Sequence, residues 1–214
     1  MSIKVTFQLL AITFALLNFA AASNQAGFIL FEAEETTRSK GRWKLKTDIQ
    51  GYTGAGYLEF TGNSPISGKA SSPITFDFTI EKAGLYYLHL YCARESITEK
   101  GKVRHDLAND CYVRVKGDFD AGPNKGDAPL DMLKEDTKFF GGNDKEFAWV
   151  SGGRLDQGHK KFNAVYNFKE GKSYTLTVSG RSQLFKLDKI VFRHEDTPKN
   201  LFEGGKKKKK KKKK

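Results

Sequence analysis

Phe185-Lys186-Leu187-Asp188-Lys189-Ile190-Val191-Phe192, near the end of the chain, sets an acid inside an apolar run of strand character. Near the start, Phe31-Glu32-Ala33-Glu34-Glu35 does the same. A carboxylate buried without a partner is costly, so such acids meet a cation or a donor. If these segments are neighbouring first and last strands, Glu32, Glu34 and Asp188 converge. Glu32 and Glu34 are two apart and share a strand face. Asp188 has the parity of Ile190 and Phe192, which makes it core-facing. Three carboxylates, supplemented by main-chain carbonyls, suit Ca²⁺, which takes about six to eight oxygens. Softer metals fit poorly, because His89, His105, His159 and His194 are scattered. The plain alternative stays open: Glu32 and Glu34 face solvent, and Asp188 pairs with a nearby Lys or Arg.

Between these ends the chain punctuates like an all-β protein. Strand-like runs fall at 28–34, 56–61, 74–80, 85–93, 111–116, 146–150, 162–168, 173–178 and 186–193. Several alternate with period two: Cys111, Val113 and Val115 oppose Tyr112, Arg114 and Lys116. Gly-, Asn-, Asp- and Ser-rich clusters separate them, and no long stretch has a helical period. About nine short strands predict a jelly-roll β-sandwich. Two longer connections, 94–110 and 117–142, stand out. Sandwich loops often carry binding function, although 118–138 reads equally as an insertion that is merely tolerated.

Lys4, the apolar run 5–22 and the closing Ala20-Ala21-Ala22 have the build of a signal peptide over residues 1–22, which implies secretion. A membrane anchor is the alternative, weakened by Thr6, Gln8, Thr13 and Asn18. The domain then spans 23–198, with a Gly/Lys tail at 199–214, and nothing downstream of residue 22 resembles a membrane span. The net charge of +12 misleads, because the 37 basic residues include nine consecutive lysines, 206–214. Without them 28 basic residues stand against 25 acidic ones, a net of +3. So near-neutral a body has no electrostatic footprint for nucleic acid. The lysine run reads as a tag, a translated adenine tract or a polycationic arm. In an exported chain Cys92 and Cys111 permit a disulfide across the loop that they flank; two buried free thiols are the other reading.

Paired carboxylates also cleave glycosidic bonds when held about 5–9 Å apart across a cleft. Here the acids sit inside strand runs, which suits a structural role better, and no nucleophile elbow or zinc motif occurs elsewhere.

In order along the chain, several pieces resemble carbohydrate-binding modules of the family 6 and family 35 type, particularly those attached to polysaccharide-degrading enzymes. They are Phe31-Glu32-Ala33-Glu34, Gly51-Tyr52-Thr53-Gly54-Ala55-Gly56-Tyr57-Leu58-Glu59-Phe60, and Ala83-Gly84-Leu85-Tyr86-Tyr87-Leu88 leading to Arg94. Asn109-Asp110-Cys111-Tyr112-Val113-Arg114-Val115, Trp149 and Gly180-Arg181-Ser182 before Leu187-Asp188-Lys189-Ile190 complete the set. The resemblance implies a structural Ca²⁺ on Glu32, Glu34 and Asp188, with a main-chain carbonyl from residues 41–43. It also implies non-catalytic polysaccharide binding by a monomer, through loops at one end of the sandwich.

Tyr52 and Trp149 are the candidate sugar platforms, since a sugar's C–H face stacks on an aromatic ring. Tyr52 reads equally as packing on its glycine loop, and Trp149 alternates with Phe147, so one of that pair is core. Arg94, Asn109, Asp110 and Arg181 are the polar candidates, offering donors and acceptors to hydroxyls. Loop capping is the plain reading for Asn109 and Asp110, and a surface charge for Arg181. Trp43, among lysines, is either an exposed anchor or ordinary packing. A small glycan hydrolase or lyase, and an extracellular interaction protein, are the competing functions.

Overall fold

A computed structural model describes residues 26–201. The expected leader at 1–22 and the lysine run lie outside the described residues. The first strands are β1 (Phe28–Glu32), β2 (Trp43–Lys46), β3 (Tyr57–Phe60), β4 (Ser71–Thr79), β5 (Gly84–Arg94) and β6 (Ile97–Glu99). There follow β7 (Lys102–Arg104), β8 (Asp110–Lys116), β9 (Asp120–Ala121), a short helix α1 (Leu130–Lys134), β10 (Thr137–Phe140) and β11 (Asn143–Asp144). The last are β12 (Ala148–Val150), β13 (Gly153–Gln157), β14 (Lys160–Asn163), β15 (Val165–Phe168), β16 (Ser173–Gly180) and β17 (Lys186–His194). Each of the nine expected runs overlaps a strand. The additional strands are mostly short pieces of the loops.

The strands build a β-sandwich of jelly-roll type. One sheet runs β2-β3-β17-β5-β15-β9, with β1 on β17 and both β11 and β12 on β5. The facing sheet runs β14-β13-β10-β8-β16-β4, and β6-β7 forms a separate hairpin. Alternation dictates the core as the sequence predicts. Leu88, Leu90 and Cys92 from β5, and Ile190 and Phe192 from β17, meet Phe76 and Phe78 from β4 and Val113 and Val115 from β8. Phe78 lies at the aromatic centre, with ring centroids of Phe192, Phe168, Tyr174 and Phe31 at 4.9–6.0 Å. The run 162–168 is not one strand. β14 belongs to one sheet and β15 to the other, so the chain changes sheets at Ala164.

The stretch 118–138 is part of the core rather than a tolerated insertion. It buries Phe119, Ala128, Met132 and Leu133. Asp127 anchors it by accepting hydrogen bonds from the Asn124 amide and Asn163 Nδ2, both at 3.0 Å. Trp43 is ordinary packing: it is buried, lies tilted against Phe60 with ring centroids 5.1 Å apart, and donates its indole N–H to the Ser72 carbonyl at 2.9 Å.

The expected disulfide is corrected. Cys92 and Cys111 are free buried thiols, one in each sheet, and both join the apolar cluster between the sheets. That cluster suppresses the thiolate: burial pushes the Cys92 thiol up to about 12, and burial with Cys92 beside it raises Cys111 well above its ordinary value.

Because Met132 fills core volume, Met132→Ala is expected to cost about 2–4 kcal/mol in chemical denaturation. A loss below about 0.5 kcal/mol, the range of surface substitutions, would return 118–138 to the status of an insertion.

Candidate functional site

The end strands meet as expected. β1 runs antiparallel to β17, with Phe28 opposite Arg193 and Glu32 opposite Lys189. On the same edge β3 pairs with Lys186 and Leu187. Asp188 therefore falls in the gap between two edge partners. It also falls in a bulge, since the β17–β5 register shifts between Leu187 and Lys189. Such a bulge re-aims a side chain. Leu187 and Ile190, three apart, both lie in the core cluster. Asp188 thus does not share the core face of Ile190 and Phe192, contrary to the parity reading; it is fully buried on the other side, among acids.

Glu34 also arrives differently from expectation. β1 ends at Glu32, and the chain turns through a 3₁₀ segment, Ala33–Glu35. This turn, rather than strand alternation, carries Glu34 back toward Glu32. Carboxylate oxygens of Glu32, Glu34 and Asp188 lie within 4.8 Å of one another. Among the described residues no Lys or Arg makes an ion pair with any of the three. The nearby Lys186 is engaged by Glu59 and Glu95 at 3.0 Å each. Lys189 lies over the Tyr91 ring, 5.3 Å from its centroid.

The glycine loop 51–56 folds over the acids. The Thr53 amide donates to both Asp188 oxygens at 3.3 and 3.2 Å, and the Thr53 hydroxyl donates to Glu32 at 2.8 Å. The Ala55 amide donates to Glu34 Oε1 at 2.8 Å. Gly54 sits between them at φ +62, where a Cβ would collide with Glu34 Oε1. Glu34 Oε2 is buried and has no hydrogen-bond partner. Burial, with repulsion from Glu32 and Glu34, raises the Asp188 carboxyl from its ordinary 3.8 to about 7 despite the Thr53 amide. Burial likewise raises Glu34. An all-oxygen pocket with an orphaned acceptor and uncompensated charge fits a hard cation. Of the carbonyls in residues 41–43, that of Arg42 accepts from the Thr61 amide and hydroxyl at 2.9 and 2.7 Å.

Both platform candidates lie in one aromatic row beside the acids. Ring centroids step from Tyr52 to Tyr57 (6.1 Å), Phe147 (5.1 Å), Tyr91 (5.5 Å) and Trp149 (4.9 Å). Phe147 is the buried member of its pair and Trp149 is half-exposed. The polar candidates separate. Arg94 and Asn109 line an open cleft of about 500 Å³ with Arg104, Phe140 and Arg154. Asp110 is buried, accepts from Arg181 Nη1 at 2.7 Å and from the Ser182 hydroxyl, and so ties β8 to the segment after β16. That ion pair is internal bracing, which removes Asp110 from the sugar-contacting set and leaves Arg181 only a partly exposed guanidinium. Thr53, Tyr91 and Arg154 escape sequence reading; only Thr53, inside the glycine loop, carried a local signal.

No protein-family model matches the chain, and no curated protein matches it. Among solved structures it is similar to a family 35 carbohydrate-binding module from Clostridium thermocellum, with TM-score 0.44 and 14% identity over 79% of this chain and 99% of that one. A family 35 module from an environmental isolate matches at TM-score 0.41 and 12% identity, over 78% and 93%. The GH26-CBM35 β-(1,4)-mannanase of Podospora anserina matches at TM-score 0.46 and 16% identity, over 79% of this chain; the chain spans 28% of that enzyme's length. Family 35 modules thus recur among the matches, the type that the sequence motifs resemble.

The raised Asp188 carboxyl sets a sign. Between pH 4 and about 7 the metal-free folded state holds a proton that the unfolded chain has released, so this group's contribution to stability falls as pH rises through that window. Asp188→Asn removes the charge and is expected to raise the chelator-treated melting temperature at pH 7.5, but barely at pH 4.5. An equal effect at both pH values would show that the Asp188 charge is compensated by other means.

Proposed function

We propose that this chain is a secreted, non-catalytic carbohydrate-binding protein whose sandwich is closed by Ca²⁺ on Glu32, Glu34 and Asp188. The observation that carries the reading is the aromatic row from Tyr52 to Trp149, partly exposed at Tyr52, Tyr91 and Trp149, together with the cleft that Arg94 and Asn109 line. Aromatic faces take the apolar side of a sugar ring, and Asn and Arg take its hydroxyls. The ordered motifs quoted above support the same reading, as does the leader-like start of the chain. Among the described residues no helix is long and apolar enough to cross a membrane.

The same geometry speaks against hydrolysis by these acids. Two catalytic carboxylates need a sugar between them. Glu32, Glu34 and Asp188 instead crowd together beneath Thr53 and Ala55, and Asp188 has no exposed surface. Glu32, Glu34 and Asp188 would hold the cation, which would supply charge neutralisation for the three carboxylates; the sugar's recognition belongs to the aromatic and amide groups.

Two measurements test the halves separately. Millimolar calcium is expected to raise the melting temperature of wild type and not of Asp188→Asn, because a ligand of the folded state alone stabilises it; equal gains would remove Asp188 from the site. In pull-downs on insoluble polysaccharides, Trp149→Ala is expected to weaken retention roughly three- to tenfold, the worth of one aromatic contact. Undiminished retention would exclude Trp149 as a platform.

A further inference from the structure

The cleft beside the aromatic row opens between the sandwich and the β6–β7 hairpin, and its cations come from different elements. Arg94 ends β5, Arg104 ends β7 and Arg154 lies in β13. Their charges are not equally compensated. Arg104 is neutralised: Nε and Nη2 donate to Asp106 at 3.0 and 2.8 Å, and Nη1 donates to Glu99 at 3.1 Å. Arg94 donates to neutral groups, with Nε on the Gly142 carbonyl at 3.0 Å. Arg154 lies over the Phe140 ring, 5.4 Å from its centroid, and Lys161 approaches the same ring at 5.5 Å. Among the described residues no carboxylate pairs with Arg94, Arg154 or Lys161. Two like charges on one ring repel each other until an anion enters.

The geometry points to a sulfate ester on the bound glycan as the group this cleft takes, an inference that rests on the carbohydrate-binding reading above. A planar carboxylate is satisfied by one guanidinium in a bidentate pair. Here donors that no carboxylate holds in an ion pair reach one cleft from β5 and β13, and Asp106, in the same lining, is taken by Arg104. Donors spread over separate strands suit the three terminal oxygens of a tetrahedral anion. Asn109, in the same lining, is left for a hydroxyl. The near-neutral body means that this selectivity is local to the cleft rather than a property of the whole surface.

The test is isothermal titration of the full chain, with calcium at about 0.15 M salt, against κ-carrageenan, dextran sulfate, their unsulfated counterparts and polygalacturonate. The lysine run 206–214 is common to all variants, so differences between variants report the cleft. Both sulfated chains are expected to bind about tenfold or more tighter than their unsulfated counterparts. Combined Arg94→Gln and Arg154→Gln should erase that margin, so that the variant binds sulfated and unsulfated chains alike. Arg154→Lys should keep most of it. Should the double variant melt early, Arg154→Gln alone carries the test, because it loses only the contact with Phe140. Retention of the margin in a folded variant, or polygalacturonate binding as tightly as the sulfated chains, overturns the proposal. If unsulfated chains bind equally well and Trp149→Ala abolishes that binding, the sulfate assignment falls and carbohydrate binding stands. If no glycan binds in any form, both fall.

Discussion

Three carboxylates gathered at the seam between the first and last strands are the constraint around which this sandwich is arranged. Their mutual repulsion and burial oppose closure of the seam, and no lysine or arginine among the described residues pairs with them. What the fold provides is directional: two backbone amides and one hydroxyl from a glycine loop. Those donors offset part of the desolvation of the charged forms, and the elevated Asp188 carboxyl reports the remainder. The bulge at Asp188 lets one strand supply both core and site. It keeps Leu187 and Ile190 in the apolar layer while turning the acid between them to the other side.

From this seam the outer face of the sheet is organised outward. The loop that caps the acids carries Tyr52, whose ring begins the aromatic row, and the row ends at Trp149 across from Tyr91 on the central strand β5. β5 also ends in Arg94, so the same strand leads from the row to the basic cleft. Acid seam, aromatic row and cleft thus each take residues from strands of one sheet, Asp188 from β17, Tyr91 and Trp149 from β5 and β12, and Arg94 from the end of β5. Sites on strands hold their geometry more tightly than sites on loops.

Much of this was legible in the sequence, and the exceptions have physical causes. Period-two alternation identified the core strands, because burial on one face leaves no other pattern. The acid triad was legible because charge inside an apolar run demands a partner. The bulge was not, since it adds a residue without changing composition, and so the face of Asp188 was misread. Cys92 and Cys111 looked like a bridged pair, but both are free thiols that pack as small apolar groups between the sheets. Asp110 and Arg181 looked like ligand groups, but they find each other across 71 positions, a pairing that local patterns do not encode. Conversely, the stretch 118–138 hid four core residues behind glycine and aspartate.

The antiparallel seam also sets how the molecule bears traction. Phe28 and Arg193 are ladder partners, so the described chain ends leave the sandwich side by side. Pulling them apart opens the β1–β17 ladder as a zipper, one rung after another, toward Glu32 and Lys189. The carboxylate cluster stands at the closed end of that zipper. A cation bound there acts as the stop at its base, and anything tethered through either end pulls from the side away from it.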